Sequence, residues 1–272
     1  MSQSYPVPVV MTLAGNDPSG GAGIQADIEG IASMGCHAAP VITALTVQDS
    51  RDVYQLIPLD PDLVYAQARA VLADIPVAAF KVGLIGSPGI AEVLEVLFED
   101  YPHIPVILDP VLAAGGGHDF DSVHMSETIR TLLPHVTVLT PNSVEARRLA
   151  PEADTLDACA MALLAQDCEY VLITGTHENT PRVVNTLYAN HRLLESYTWE
   201  RLPHSYHGSG CTLAAALAGL LAQGQEVLSA IYQAQEYTWE ALRGGYRIGA
   251  GQHMPNRLFW ADDNEQGDAD DD

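Results

Sequence analysis

The chain has 272 residues, 47% of them hydrophobic, which is enough for one large α/β domain with a substantial core or for two small ones. Its formal charge is −23; the segment from Ala261 to Asp272 is dense in acids, and Lys81 is the only lysine. So acidic a chain is a poor general binder of nucleic acid, which calls for basic patches, and no apolar run is long enough to span a membrane. The opening MSQSYPVPVV has no basic stretch before an apolar one and does not read as a signal peptide. The cysteines Cys36, Cys159, Cys168 and Cys211 show no CxxC pairing, so structural zinc or a disulfide framework is not expected and the reducing cytoplasm is.

In chain order, Val7 to Gly15 is a β-branched apolar run ending in glycine, the pattern of a buried strand. Asn16-Asp-Pro-Ser-Gly-Gly-Ala-Gly23 follows as a turn, then a helix from Ile24 to Met34 with Ile24, Ile28, Ile31 and Ala32 on one face. These glycines match neither a GxGxxG dinucleotide loop nor a Walker A loop. A strand from Ala38 ends at Gln48, and Val53 to Ile57 either pairs with it or forms a flap. The helix from Pro61 to Leu72 starts on its proline. Strands at Ala78–Val82 and Val106–Leu108 end in Gly83-Leu-Ile-Gly and Asp109-Pro-Val, with a helix from Pro88 to Glu99 between them. The glycine-rich Ala113-Ala-Gly-Gly-Gly-His118 reads as a mobile loop, followed by a helix from Ser122 to Leu132.

A strand at Val136–Leu139 leads into Thr140-Pro-Asn-Ser-Val-Glu145, where Asn142 and Glu145 have the spacing of a capping box for a helix running to Leu149. A helix over Thr155–Asp167 and a strand over Tyr170–Ile173 precede Thr174-Gly-Thr-His177. Val183–Tyr188 and Arg192–Trp199 form a hairpin turning at Ala189-Asn190, and helices follow at Thr212–Ala222 and Val227–Leu242. The alternation predicts a single domain over 1–260 with a mostly parallel, doubly covered sheet; 261–272 is an acidic, disordered tail.

The most informative stretch is His207-Gly-Ser-Gly-Cys-Thr212, a glycine turn feeding an apolar helix. Glycine allows close approach and positive φ, and a helix N-terminus offers unpaired N–H groups and partial positive charge, so the pair makes an anion site. A cysteine in that first turn is expected to have a lowered pKa and to act as proton acceptor or nucleophile. The candidates Gly15/Asp17, Gln48, Gly83, Asp109, Asn142/Glu145, Gly175 and Gly208–Cys211 all fall at strand ends, on the rim where α/β sheets bind ligands.

These motifs resemble, in order, those of bacterial hydroxymethylpyrimidine/phosphomethylpyrimidine kinases of the ribokinase superfamily: Ala14-Gly-Asn-Asp-Pro-Ser-Gly-Gly-Ala-Gly-Ile-Gln-Ala-Asp27, Val41 to Gln48, Lys81-Val-Gly-Leu84, Asp109-Pro-Val111, Pro141-Asn-x-x-Glu145 and His207 to Thr212. The resemblance implies a ribokinase-like three-layer αβα fold. It implies ATP-dependent phosphorylation of 4-amino-5-hydroxymethyl-2-methylpyrimidine, then of its monophosphate, for thiamine biosynthesis. It implies that Gly15, Asp17, Ala22, Asp27, Gln48, Leu84 and Val111 bind the pyrimidine. Asn142, Thr174, Gly175, His177 and Gly208 would bind nucleotide, Asp109 and Glu145 would organise Mg²⁺, and Gly208, Ser209, Gly210 and Cys211 would form the catalytic anion hole. A cytoplasmic homodimer with a small-molecule substrate is implied as well. Two family lysines are absent, at Thr174-Gly-Thr-His177 and in the loop after Asp109-Pro-Val; His118, His177 or Arg182 could supply their charge. The alternatives are a pyridoxal or pyridoxine kinase, and a catalytically weakened ligand-binding regulator on the same fold.

Overall fold

The computed structural model describes residues 7–112 and 122–262. The loop at 113–119, with His118, lies outside the described residues, as does 263–272.

The elements are β1 (Val9–Asn16), α1 (Gly23–Ser33), β2 (His37–Gln48), β3 (Val53–Pro58), α2 (Pro61–Leu72), β4 (Val77–Val82), α3 (Pro88–Asp100), β5 (Val106–Leu108) and α4 (Ser122–Leu132). A 3₁₀ turn, Leu133–His135, leads to β6 (Val138–Leu139), α5 (Ser143–Leu149), α6 (Leu156–Leu164), β7 (Tyr170–Ile173), β8 (Arg182–Ala189), β9 (Arg192–Glu200), α7 (Ser209–Ala222), α8 (Val227–Arg243) and α9 (Phe259–Asp262). The strands form one nine-stranded sheet in the order β3-β2-β1-β4-β5-β6-β7-β8-β9. Strands β2 to β7 of that order pair in parallel, while β3, β8 and β9 run antiparallel at the two edges. Val53–Ile57 therefore pairs with β2. Chain direction across the sheet reverses beside β1, so the carboxyl ends of β1 and β4 flank a topological switch point, where a crevice opens.

Alternate side chains of each strand enter different cores. Met11, Leu13, Phe80, Val82, Leu108 and Leu139 pack with α2 to α6. Val10, Ala79, Ile107, Val138 and Leu172 pack with α1, α7 and α8. Helix α7 is buried along almost its whole length. Its small residues let α1 come close: a Cβ on Gly30 would lie 2.9 Å from the Ala215 Cβ, and one on Gly219 would lie 2.7 Å from the Met34 Cβ.

Lys81 lies between Phe80 and Val82, so its side chain points to the α1/α7 side of β4. There Nζ meets Asp27 Oδ1 at 2.8 Å and Oδ2 at 3.0 Å, with both side chains wholly buried. Thr12 of β1 donates its hydroxyl to the same carboxylate. This pair turns α1 relative to the expected face: Ile24, Asp27 and Ile31 are buried, whereas Ile28 and Ala32 are exposed. An apolar periodicity could not show that a carboxylate would take the inward position. Two smaller expectations also shift. The hairpin turns on Asn190-His191, both with positive φ, one residue later than expected. Helix α9 takes in Ala261 and Asp262, the first residues assigned to the tail.

Removing one partner of a buried pair leaves an uncompensated charge. Lys81→Met is therefore expected to cost about 3–5 kcal/mol of unfolding free energy, and adding Asp27→Leu to recover most of it, as read by urea denaturation.

Candidate active site

At the carboxyl ends of the parallel strands, between β1, β4 and the mouth of α7, lies a cleft of about 430 Å³. Its wall includes Gly15, Asp17, Ala22, Gln48, Leu84 and Val111, then Asp109, Asn142 and Glu145, then Thr174 and His177, and finally Gly208, Ser209, Gly210 and Cys211. Of the expected site residues, Asp27 and Gly175 are not in the wall. Asp27 lies behind it in the pair with Lys81, and Lys81 itself reaches the cleft. Gly175 gives its N–H to Asn185 Oδ1 at 3.0 Å and packs on β8, where a Cβ would fall 2.2 Å from the Val184 carbonyl oxygen.

One end of the cleft is an apolar slot. Leu84 stands over Gly15, 2.9 Å from where a Cβ would be, and Val111 and Gln48 line the same space. The loop after β1 is organised by Asp17, whose carboxylate accepts from Ser19 N, Ser19 Oγ and Ala22 N, each at 2.8 Å, and meets His207 Nε2 at 2.9 Å. Burial alone would raise the Asp17 pKa; hydrogen bonds from His207, Ser19 and Gln48 outweigh it and hold the carboxyl well below its ordinary range. Gln48 Nε2 lies 3.5 Å from His207 Nε2, so the slot's polar edge joins the segment leading into α7.

The other end is the mouth of α7. Gly208 caps the helix with φ 80°, a left-handed conformation suited to glycine. The Asp109 carboxylate faces this mouth, with both oxygens 3.5 Å from where a Gly210 Cβ would sit. Cys211 lies beside Asp109 and the Gly23 backbone. Its thiol pKa is not lowered but pushed up to about 12. Burial is the largest cause; Lys81 opposes it, and the charges of Asp109 and Asp27 add to it. A helix N-terminus lowers a thiol pKa when the sulfur stays hydrated, and here it is not.

Asn142 caps α5 by accepting from Val144 N and Glu145 N, and Glu145 Oε2 accepts from Asn142 N at 2.9 Å, a complete capping box. Glu145 also lines the cleft. Burial and the charge of Asp109 push Glu145 up to about 8, and burial, partly countered by Lys81, raises Asp109. Two neighbouring acids, each with a raised pKa, form an oxygen donor set with excess negative charge. This suits a hard divalent cation.

On the remaining side, Arg201 had no place in the sequence reading. Its guanidinium reaches the Thr176 carbonyl at 2.8 Å, the Glu178 carbonyl at 2.8 Å and the Thr180 carbonyl at 2.9 Å, so it holds the loop after β7 in shape. It lines the cleft, whereas Arg182 is exposed at the start of β8 and does not. Next to it a smaller cavity of about 130 Å³ opens between Trp199, Asn185, Gln235 and Trp239. No sequence motif marks Arg201, which closes a hairpin strand. Lys81 did carry a signal, as a lone lysine in an apolar strand.

The phosphomethylpyrimidine kinase family profile matches residues 17–256. The hydroxymethylpyrimidine/phosphomethylpyrimidine kinase of Streptomyces coelicolor is 36% identical over 253 residues, covering 90% of this chain and 92% of that protein. The enzyme of the same description from Escherichia coli is 34% identical over 256 residues, covering 90% and 96%. Among solved structures, an ADP complex of Bacillus subtilis pyridoxal kinase superposes with a TM-score of 0.85 at 30% identity, covering 94% of this chain and 99% of that one. A phosphomethylpyrimidine kinase from Clostridium difficile 630 gives 0.72 at 27%, covering 87% and 99%. The sheet and the helix layers are thus those of the ribokinase-like kinases, and the chain belongs to the phosphomethylpyrimidine kinase family.

Proposed function

We infer that the protein phosphorylates 4-amino-5-hydroxymethyl-2-methylpyrimidine with ATP, and then its monophosphate, in thiamine biosynthesis. The observation that carries this reading is the meeting, in one cleft, of an apolar slot edged by Gln48 and a glycine-lined helix mouth flanked by Asp109 and Cys211. Gln48 can both donate to and accept from an aminopyrimidine edge, and Leu84 and Val111, both in the cleft wall, would sandwich the ring. The hydroxymethyl oxygen then points toward Cys211, and the amides of Gly208 to Cys211 face the phosphoryl group. ATP enters along Asn142, Thr174 and His177, on the side that Arg201 holds in shape. In the reducing cytoplasm the free cysteines remain thiols.

The chemistry is positioning and charge stabilisation. Fixed backbone amides oriented at the transferring group lower the barrier without reorganising, and alignment of acceptor and donor supplies much of the rest. Asp109 and Glu145 would hold Mg²⁺, which when bound neutralises phosphate charge. Cys211 enters as a thiol. It serves the acceptor oxygen as a hydrogen-bonding partner and keeps its own proton; the alcohol's proton leaves late, as a loose transition state permits, to an oxygen of the transferred phosphoryl group.

The direct test is a coupled ADP-release assay offering the pyrimidine alcohol, its monophosphate and pyridoxal in turn. Turnover of the first two, faster than of pyridoxal, is the expected result; binding without turnover would favour the regulator reading. Cys211→Ala is expected to lower kcat by about 10–100-fold with little change in pyrimidine affinity, the loss of one hydrogen bond to the acceptor oxygen. Alkylation of Cys211 in the free protein, followed by peptide mass spectrometry, should keep accelerating above pH 10, whereas a plateau near pH 8 would contradict the buried thiol.

Glu145 gives a pH signature. Its folded pKa of about 8 is raised above the ordinary carboxylate value, so its contribution to stability is present at low pH and is lost as pH rises toward 8. In magnesium-free buffer, wild type should lose about 1–2 kcal/mol relative to Glu145→Gln between pH 5 and pH 8, the figure being discounted for partial solvent contact.

A further inference from the structure

Arg257 is the one buried arginine among the described residues, 2% exposed. It lies in the segment between α8 and α9, far in sequence from every motif of the cleft, and does not itself line the cleft. Its guanidinium nonetheless touches two loops that meet beside the cleft, the one after β1 and the glycine turn into α7. Nη2 donates to the Gly21 carbonyl, in the loop after β1. Nε donates to Thr212 Oγ1 at 2.9 Å, in the first turn of α7. Nη1 meets Glu29 Oε2 of α1 at 3.0 Å. The backbone of Arg257 is fixed in turn, because its carbonyl accepts from Tyr237 Oη at 2.7 Å and Ser33 Oγ at 2.8 Å.

The contact continues to the anion-binding turn. Thr212 Oγ1 donates to the Gly208 carbonyl at 2.8 Å, and Thr212 N donates to the same oxygen at 2.9 Å. The three groups meet at one point: a Cβ on Gly208 would lie 1.9 Å from the Gly21 carbonyl oxygen and 2.9 Å from Arg257 Nη2. The left-handed Gly208 turn is thus pressed against the Gly21 turn with the guanidinium as the clip. A planar fork with several donors can hold acceptors on separate loops at fixed spacing, whereas an ammonium point charge cannot.

We propose that Arg257 is a positioning residue of the phosphoryl-transfer step. It acts through Thr212 and Gly21 to fix the distance between the loop that holds the ring and the turn that holds the phosphoryl group. This rests on the kinase reading above. A misplacement of about 1 Å between reacting groups costs on the order of 10²-fold in rate, so loosening the clip affects kcat before it affects binding.

The test compares steady-state kinetics and melting temperature for wild type, Arg257→Lys, Thr212→Val and the double variant, with the pyrimidine alcohol and ATP. Arg257→Lys is expected to lower kcat by about 10–100-fold while KM for both substrates stays within about threefold, because the loss is one of alignment. Since the two residues act in one chain of contacts, the double variant should be no more than about threefold slower than the slower single variant. Wild-type kcat in Arg257→Lys overturns the proposal. So does a double variant whose losses multiply, or a loss of rate that matches the fraction unfolded at the assay temperature. A wild type with no turnover overturns the kinase reading, and this proposal with it; a wild type that turns over beside an equally fast Arg257→Lys overturns this proposal alone.

Discussion

The site depends on one buried ion pair. Lys81 and Asp27 are wholly buried between β4 and α1 at 2.8 Å, and the lysine's other neighbours are Asp109 and Cys211. Burial alone would strip the lysine of its proton, but the surrounding acids outweigh this and raise its pKa, so it stays charged. The pair sets the rotation of α1 and so the start of the loop after β1. It also places a positive charge behind the acids of the cleft. Gly83 leaves room for it: a Cβ there would fall 2.7 Å from Nζ.

The same scarcity of cations explains how a chain of net charge −23 can handle phosphate. Its basic residues near the cleft are committed to structure: Lys81 to Asp27, Arg201 to three carbonyls, Arg257 to two loops and Glu29. In the proposed reading what faces the phosphoryl group is backbone, the amides of Gly208 to Cys211 at a helix mouth, and these carry no net charge that a surrounding acidic surface could cancel. The loop after β7 reads Thr174-Gly-Thr-His177, without a lysine, and is shaped by Arg201.

Much of this was legible in the sequence because it is local. Pro61 at the start of α2, the Asn142/Glu145 box and the glycine turn before α7 each rest on residues a few positions apart, and each lies where expected. The rim of strand ends followed from the alternation of strands and helices. What could not be read was non-local. Asp27 turns inward on α1 because of a lysine 54 positions away, which no periodicity carries. Cys211 has the right position for an activated thiol, but its burial beside Asp109 and Gly23 reverses the shift that position alone suggests. Arg257 meets Gly21 from 236 positions away and belongs to no motif.

The account's central claim is that the acceptor oxygen and the transferring phosphoryl group meet at the mouth of α7. It is tested most directly by a crystal structure with ADP, Mg²⁺, aluminium fluoride and the pyrimidine alcohol. The account predicts the fluoride group on the amides of Gly208 to Cys211, in line with a hydroxymethyl oxygen beside Cys211 Sγ, and the ring between Leu84 and Val111. A ring bound elsewhere, or a fluoride group away from the α7 mouth, would contradict it.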